Sequence, residues 1–275
     1  MKFILYAFSC IFLVSPYFSY GQHGSEIFAK GARSYGMAHA HVTLSDAWSI
    51  FNNPGAMGRA STTTAVVGYD HRLGLDELTT LGAGAVMATE KGNFGIGLSH
   101  YGGELFNQQA VGISYANQMG IASFGIKATY LQTNISGYGR NGVPVFEFGG
   151  TAVLGPQLTF GAHIYNFSRS QLSRDSQDYL PTIVKVGLSY RLSGKLLIGL
   201  EAEKDILLPA VAKFGLEYNF IDRFWARCGV RTNPSNLHFG IGFNPKRFRF
   251  DYAVAQNHQL GFTHHFSLNY TIGSL

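Results

Sequence analysis

Histidines at alternate positions are the first residues of the chain that could do chemistry. His39 and His41 are separated by one residue, so in an extended segment both imidazoles would share a face and could chelate a metal. Two imidazoles without a neighbouring carboxylate or thiolate make a weak metal site, so packing is the better interpretation. His264 and His265 are adjacent in a strand-like pattern and would point to opposite faces. The sequence therefore predicts no metal and no cofactor.

Serine and histidine pairs were weighed as a source of hydrolytic chemistry. A hydrolase needs a serine, a histidine and an acid or amide that converge in space. Ser99 beside His100, and His163 near Asn166, are too generic to mark such a site. The chain has no G-x-S-x-G motif and no phosphate-binding loop, because its glycines fall within strand patterns. We expect a protein that is not an enzyme, and keep a lipid-modifying outer-membrane enzyme as an alternative.

The first residues of the chain have the pattern of a secretory signal peptide. Lys2 precedes an apolar stretch at 3–14, and the small residues Ser19 and Gly21 stand before Gln22. The stretch is too short to span a bilayer as a helix, and the small residues suit a cleavage site. We predict a signal peptide at 1–21.

Cysteine usage and composition narrow the class of the mature chain. Cys10 lies in the predicted signal peptide, so Cys228 is the only cysteine left and no internal disulfide can form. We expect Cys228 to face lipid and to be inert. Charged residues make up 13% of the chain, against 34 glycines, 15 tyrosines and 22 phenylalanines. This composition is ordinary for a barrel in lipid. The net charge of +5 is spread along the chain, which argues against nucleic acid as a partner.

Apolar residues recur with period two from about residue 61 to the end of the chain. In 248–254, for example, Phe248, Phe250 and Tyr252 would take one face while Arg249 and Asp251 take the other. Glycine, proline and asparagine separate such runs at short intervals. The pattern predicts an all-β fold at 61–275, a transmembrane antiparallel β-barrel of about 14 strands. The predicted strands are 61–73, 78–90, 93–104, 108–118, 121–135, 143–155, 157–167, 180–193, 195–206, 209–221, 223–233, 236–245, 248–257 and 261–273.

The second face of these strands carries charges of both signs among small residues. In a soluble β-sandwich this polar face would meet water, and that fold remains an alternative. Interspersed opposite charges and many glycines favour a crowded barrel lumen. The predicted lumen charges are Lys185, Arg191, Glu201, Glu203, Lys213, Glu217, Arg227, Arg231, Arg249 and Asp251.

Residues 22–60 do not follow the strand pattern. Ser45 is a plausible N-cap, with Asp46 in the first turn of a short helix that Asn53 would end. A compact apolar segment ahead of the first strand would fit inside the barrel as a hatch, and a tail lying on the barrel rim is the alternative. The hatch and gating candidates are Gly36, Met37, Asp46, Trp48, Asn53, Pro54 and Gly55.

Two stretches of the sequence resemble a known family. The string from Gly31 to Met37, the acidic Asp46 and the helix ending in Asn53-Pro54 resemble the N-terminus of PorV/PorQ-type outer-membrane proteins of Bacteroidetes. Those proteins belong to the FadL-like superfamily of long-chain fatty-acid transporters, and the ending at 260–268 is similar to that family's final strand. The resemblance implies a fourteen-stranded barrel with an N-terminal hatch in the cell outer membrane.

The resemblance also implies a choice of functions. A FadL-like barrel would let small hydrophobic molecules pass, whereas a PorV-like barrel would be an accessory of a type IX secretion system. The implied partners are outer-membrane lipid and either hydrophobic small molecules or secretion-system proteins. A scaffold barrel that binds partner proteins and moves no solute stays open as an alternative. The short predicted loops favour a small transport or structural role over docking of secreted cargo.

Overall fold

Fourteen antiparallel strands close into one barrel, in which each strand pairs with the next and β1 pairs with β14. The computed structural model describes residues 30–171, 179–257 and 261–274, so the predicted signal peptide lies outside the described residues. The strands are β1 Thr62–Arg72, β2 Leu75–Met87, β3 Asn93–Gly102, β4 Phe106–Met119, β5 Ala122–Ile135, β6 Gly139–Val153, β7 Leu158–Tyr165, β8 Ile183–Ser193, β9 Leu196–Asp205, β10 Val211–Ile221, β11 Phe224–Arg231, β12 Asn236–Phe243, β13 Phe248–Asn257 and β14 Gly261–Ser274.

The predicted fold class and strand number are confirmed, and most strand ends fall within a few residues of their predicted positions. The largest difference is at β6, which begins at Gly139 instead of residue 143, and β2 begins at Leu75 instead of residue 78. Leu73 and Gly74 both have positive φ, 59° and 70°. Two consecutive positive φ values form the tight turn that matches the twist of an antiparallel pair, so β2 begins earlier than the sequence predicted.

The barrel carries its large apolar side chains on the outside. On β13, Phe248 and Phe250 are exposed while Asp251 and Ala253 are buried toward the lumen. The same alternation is found on the other strands, so an apolar belt surrounds the barrel. A closed barrel with this orientation excludes the soluble β-sandwich and is typical of a protein surrounded by lipid. Among the described helices, none has the length and apolar character needed to cross a bilayer.

Residues 30–60 lie inside the barrel and not against its rim, and we call this segment the hatch. It is the described part of the predicted segment 22–60, of which 22–29 lies outside the described residues. It contains three short helices, α1 Ala32–Gly36, α2 Ser49–Asn52 and α3 Pro54–Met57. Helix α1 packs mainly against β12 and β13, whereas α3 packs against β4, β5 and β6. Nearly all of its side chains are buried. The hatch therefore spans the lumen from one wall to the other.

One local prediction about the hatch is wrong. Ser45 caps no helix and is exposed, because α2 begins only at Ser49. Asp46 Oδ1 instead accepts a hydrogen bond from the backbone N–H of Trp48 at 3.0 Å, which makes a local turn ahead of the helix. Asn53 ends α2 and also caps α3, since its Oδ1 accepts from the N–H of Gly55 at 3.0 Å.

The two ends of the barrel differ in their connections. We call the end where β1 begins and β14 ends the terminal end, and the other the opposite end. The connections at the terminal end are short, such as 194–195 and 222–223. At the opposite end the β7–β8 connection, 166–182, is the longest, and its described part carries Leu180 into the lumen.

Candidate functional site

Inward-facing glycines allow the hatch backbone to approach the barrel wall closely. A Cβ added to Gly125 would collide with the carbonyl of Pro54, and one added to Gly149 would collide with the side chain of Asn53. Such positions recur on strands around the lumen, and we call them the glycine ring. Its members, each of which would bring an added Cβ within 3.0 Å of a hatch atom, are Gly68, Gly84, Gly95, Gly97, Gly125, Gly149, Gly161, Gly187, Gly215 and Gly229. The fit leaves no room for a side chain between hatch and wall at these positions.

Three of the predicted hatch residues lie at the wall formed by β5 and β6. The buried Asn53 side chain donates through Nδ2 to the carbonyl of Val42 at 2.6 Å and to that of Gly150 at 3.3 Å. Ser123 on β5 donates to the carbonyl of Gly55 at 2.6 Å. Pro54 occupies the first position of α3, where its missing N–H is not needed. These contacts fix α3 to the barrel.

The remaining apolar hatch candidates lie at the other walls. Gly36 approaches the backbone of Gly240 on β12, and Met37 is fully buried beside Gly215 on β10. Trp48 is 1% exposed. Its indole N–H donates to Asn269 Oδ1 at 2.8 Å, so the ring is fixed at both its apolar body and its polar edge.

Arg33 of the hatch joins a charged network on β10, β11 and β13. Its Nη2 lies 2.5 Å from Glu217 Oε1, and its Nη1 lies 3.0 Å from Asp46 Oδ2. Glu217 also accepts from Arg227 Nε at 2.6 Å, and Arg227 Nη1 lies 2.8 Å from Asp251. The network extends to Arg249, whose Nε is 3.0 Å from Asp251. Opposite charges within about 3 Å in a buried setting hold each other in place.

Glu201 binds a second part of the hatch. One carboxylate oxygen accepts from the backbone N–H groups of His41 at 2.8 Å and Val42 at 2.7 Å. The other lies 2.8 Å from Lys213 Nζ, which also contacts Glu203 at 2.7 Å. The lumen charges predicted from sequence thus include two groups that hold the hatch through ion pairs and backbone hydrogen bonds.

The other predicted lumen charges lie at different depths. Lys185 is buried, with Nζ 3.8 Å from Glu203. Arg231 faces inward and is half-buried. Arg191 is exposed two residues before the end of β8, so it lies at the rim of the terminal end and not inside the lumen. Arg191 is on the inward-facing side of β8, as predicted, but it lies so close to the end of the strand that no other part of the barrel covers it.

A third charged group contains two residues of the strand face that the sequence predicted to be polar, Lys127 and Glu147, although neither was among the candidate site residues. Lys127 Nζ lies 2.8 Å from Glu147, whose other oxygen lies 3.0 Å from His163 Nε2, and all three side chains are buried. Lys127 and Glu147 are register partners on β5 and β6. The sequence does show opposite charges at inward positions of neighbouring strands. Pairing Lys127 with Glu147 nevertheless requires the register of β5 against β6, which the sequence does not give.

An apolar wall lines part of the lumen toward the opposite end. It is formed by inward-facing residues of β4 to β8 together with Leu180 from the β7–β8 connection. Sequence reasoning missed it, because these residues occupy the face that carries charges elsewhere along the same strands. The apolar wall consists of Ala110, Leu131, Val143, Val145, Tyr165, Leu180 and Ile183.

The histidines weighed for metal binding lie deep in the barrel. The His39 ring packs 4.5 Å from Tyr35 and 5.3 Å from His238, measured between centroids. Burial, together with nearby lysine and arginine charges, lowers the pKa of His39 and of His41 well below 6.5. Within the described residues no cluster of three or more histidine, cysteine, aspartate or glutamate side chains has a metal-binding arrangement.

The structure also places the other residues considered for chemistry. His163 pairs with Glu147, whereas Asn166 donates to the carbonyl of Leu180 at 3.0 Å, so the two do not form one site. His264 faces outward against Tyr252, while its neighbour His265 is buried and bonded to Asp70. Cys228 lies half-buried on the outward face of β11, between Ala226 and Val230.

Known proteins resemble this chain in structure but not in sequence. No family model and no curated protein matches the sequence. The monoaromatic hydrocarbon channel CymD superposes with a TM-score of 0.71 at 13% identity, over 89% of this chain and 98% of that one. The toluene transporter TbuX of Ralstonia pickettii gives 0.71 at 12% identity, over 88% and 98%. The toluene transporter TodX of P. putida gives 0.65 at 14% identity, over 90% and 99%.

The chain has the fold of these channels. At such low identity the likeness establishes the barrel architecture alone. The agreement covers nearly the whole length of the compared chains, so the likeness extends to the barrel as a whole.

Proposed function

We propose that this protein is an outer-membrane barrel through which small hydrophobic molecules pass, and that it is not an enzyme. The observation that carries the proposal is the apolar wall inside the lumen, in a barrel with the fold of hydrocarbon channels and closed by a hatch. A water-filled porin would need a polar lumen. An apolar surface at this position instead suits a solute that gains free energy by leaving water.

The proposed path runs from the opposite end to the terminal end. Leu131 and Val145 are almost completely buried, so a hydrophobic molecule would reach the apolar wall as Leu180 of the β7–β8 connection gives way, and would then meet the hatch. The glycine ring and the ion pairs of Arg33 keep the hatch closed. Passage therefore requires part of the hatch to move, and the residues that would give way are those around Gly36, Met37, Asp46, Trp48 and the Asn53-Pro54-Gly55 sequence.

The apolar belt supports the outer-membrane location. Every strand pairs on both sides, so no unsatisfied strand edge would meet hydrocarbon. Outer-membrane lipid is then the immediate partner of the outer face, and small hydrophobic molecules are the partners of the lumen. A lipid-modifying activity has less support, because His163 and Asn166 do not form one site. Ser99 and His100 are consecutive residues of β3 and therefore point to opposite faces.

A second candidate function is that of a PorV/PorQ-type accessory of a type IX secretion system. It rests on the resemblance of the sequence from Gly31 to Pro54 to that family. The short connections offer little surface for docking secreted cargo. Secretion-system proteins that co-purify with the full chain, together with an absence of hydrocarbon uptake, would favour this candidate or a scaffold barrel.

Uptake of radiolabelled toluene by whole cells tests the proposed function. Cells are required because phospholipid vesicles are themselves permeable to hydrocarbons. Cells that express the protein should accumulate toluene faster than cells with an empty vector. Outer membranes from the same cells should contain a species that migrates faster on a gel before boiling than after. Equal uptake with this gel shift intact would reject passage while leaving the barrel in place.

A further inference from the structure

An apolar groove crosses the outer face of the barrel near the terminal end. It has a volume of about 520 Å³ and lies across β10 to β14, β1 and β2. The Phe224 and Phe243 rings stack in it with centroids 4.6 Å apart, which gives one side of the groove a fixed shape. Its main outward-facing side chains are Phe224, Ile241, Phe243, Phe250, Phe266 and Leu268.

Basic residues stand at the end of this groove. Arg223 directly precedes Phe224, while Lys246 and Arg247 lie between Phe243 and Phe250. The backbone N–H of Asn244 donates to the carbonyl of Arg223 at 2.8 Å, so the two turns are neighbours in space. All three basic side chains are exposed, and within the described chain none forms an ion pair. Asp222 is the acidic residue of these turns, so three positive charges and one negative charge leave +2.

We propose that the groove and these turns bind an anionic phospholipid of the membrane leaflet at the terminal end. An acyl chain would lie in the groove, and the phosphate would lie between Arg223, Lys246 and Arg247. The inference rests on the membrane location in the proposed function, but not on hydrocarbon passage. Each basic side chain near a membrane surface favours anionic lipid by about fivefold.

Other occupants fit the groove less well. A pure hydrocarbon would leave the uncompensated basic side chains without a partner. A second copy of the chain in a symmetric dimer would place the same positive turns near each other, and like charges repel. An anionic phospholipid matches both the apolar groove and the basic turns, because its acyl chains are apolar and its headgroup is negative.

Tryptophan fluorescence offers a direct readout of lipid at the groove. Neither tryptophan of the chain faces the groove. Trp225 lies on the inward face of β11 with Arg249 5.6 Å from its ring, and Trp48 is buried in the hatch. A reporter variant, Ile241→Trp/Trp225→Phe, places the fluorophore at an exposed position of the groove. The full chain would be placed in phosphatidylcholine vesicles containing phosphatidylglycerol or phosphatidylcholine with brominated acyl chains, at the same mole fraction. Brominated phosphatidylglycerol should quench the introduced tryptophan several times more effectively. The Trp225→Phe variant alone gives the contribution of Trp48, and the charge-removal variants are made in the reporter.

Charge-removal variants decide whether the preference belongs to the groove. In Arg223→Gln/Lys246→Gln/Arg247→Gln the preference for phosphatidylglycerol should fall to about one, with the heat-dependent gel shift unchanged. The matched control Lys91→Gln/Arg191→Gln/Lys195→Gln removes the same number of charges from other turns at the terminal end and should keep the preference.

Three results would overturn the lipid site. They are equal quenching by both lipids in the reporter, an unchanged preference in the first triple variant, and an equal loss in both triple variants. A dimer that excludes both brominated lipids from the introduced tryptophan would also contradict it. Toluene uptake by cells expressing the same variants separates this outcome from the proposed function, since failure of uptake with a retained lipid preference would reject passage alone.

Discussion

Arg33 in the hatch and Glu217 in the barrel wall form a two-contact ion pair. Nη2 lies 2.5 Å from Oε1, and Nε lies 2.8 Å from Oε2. The pair joins α1 to β10, and through Arg227 it also reaches β11. Because both side chains are mostly covered, losing one partner would leave the other charge without compensation. The closed position of the hatch thus depends on a specific contact as well as on shape.

Replacing Glu217 by glutamine should loosen the hatch. The change removes the negative charge that faces Arg33 and Arg227, and a loss of about 2 kcal/mol would raise the population of displaced hatches by about 30-fold. Ion conductance of single barrels in planar bilayers should rise accordingly. Arg191→Gln, at an exposed rim position, is the control and should leave conductance unchanged. Equal conductance of Glu217→Gln and wild type would show that this ion pair does not hold the hatch.

Adding one methyl group to the glycine ring should displace the hatch. In Gly125→Ala the new Cβ would collide with the carbonyl of Pro54, a backbone atom that cannot move independently of α3. We expect a loss of about 1–3 kcal/mol from overpacking and a measurable leak of ions through the barrel. Gly82→Ala is the matched control, because its nearest neighbour would be Lys30 Cδ at 3.5 Å. If both variants leak equally, close packing at the ring is not what closes the lumen.

Replacing Asn53 and replacing Ser45 should have different effects on amide hydrogen exchange in α3. Asn53→Ala removes the cap of α3 and the bond to the Val42 carbonyl, which should destabilise that helix by about 1–2 kcal/mol. Amide exchange in 55–57 should then become about tenfold faster. Ser45 is exposed and caps no helix, so Ser45→Ala should leave the same amides unchanged. Faster exchange in the Ser45 variant would restore the role that the sequence predicted for it.

A pair of neighbouring isosteric changes tests the apolar wall. Val145 and Thr129 are register partners on β6 and β5, and the Thr129 hydroxyl has no hydrogen-bond partner within the described residues. Val145→Thr keeps the shape of the wall but adds a buried hydroxyl, so toluene uptake should fall by about fivefold. Thr129→Val makes the reverse change and should not lower uptake. A decrease in both variants would indicate general disturbance of the barrel instead of loss of an apolar contact.

The fold could be predicted from sequence because a strand repeats every two residues. Phe248, Phe250 and Tyr252 mark one face of a strand whichever strands are its neighbours. The short turns between such runs give the number of strands. The hatch was predicted as a unit for a related reason, since its residues lack this repeat. The start of α2 was not predicted correctly. Ser45 and Asp46 both favour helix caps and turns, and local propensity does not show that the turn made by Asp46 would form in place of a cap at Ser45.

The contacts of the site required the three-dimensional register. Gly125 and Pro54 are distant in sequence, and the glycine pattern alone did not indicate that a hatch packs against it. The apolar wall was missed for a similar reason. Val145 occupies an inward position two residues from Glu147, so the face that reads as polar in sequence changes character along one strand.

A disulfide that locks the hatch to the wall tests the central claim most directly. Ala40 Cβ lies 3.6 Å from the position of a Cβ on Gly199, within the range for a disulfide. Ala40→Cys/Gly199→Cys, made with Cys228→Ser, would be assayed for toluene uptake by whole cells, oxidised and after reduction. The account predicts uptake near the empty-vector level when oxidised and recovery after reduction. Uptake that is the same in both states would contradict passage by movement of the hatch.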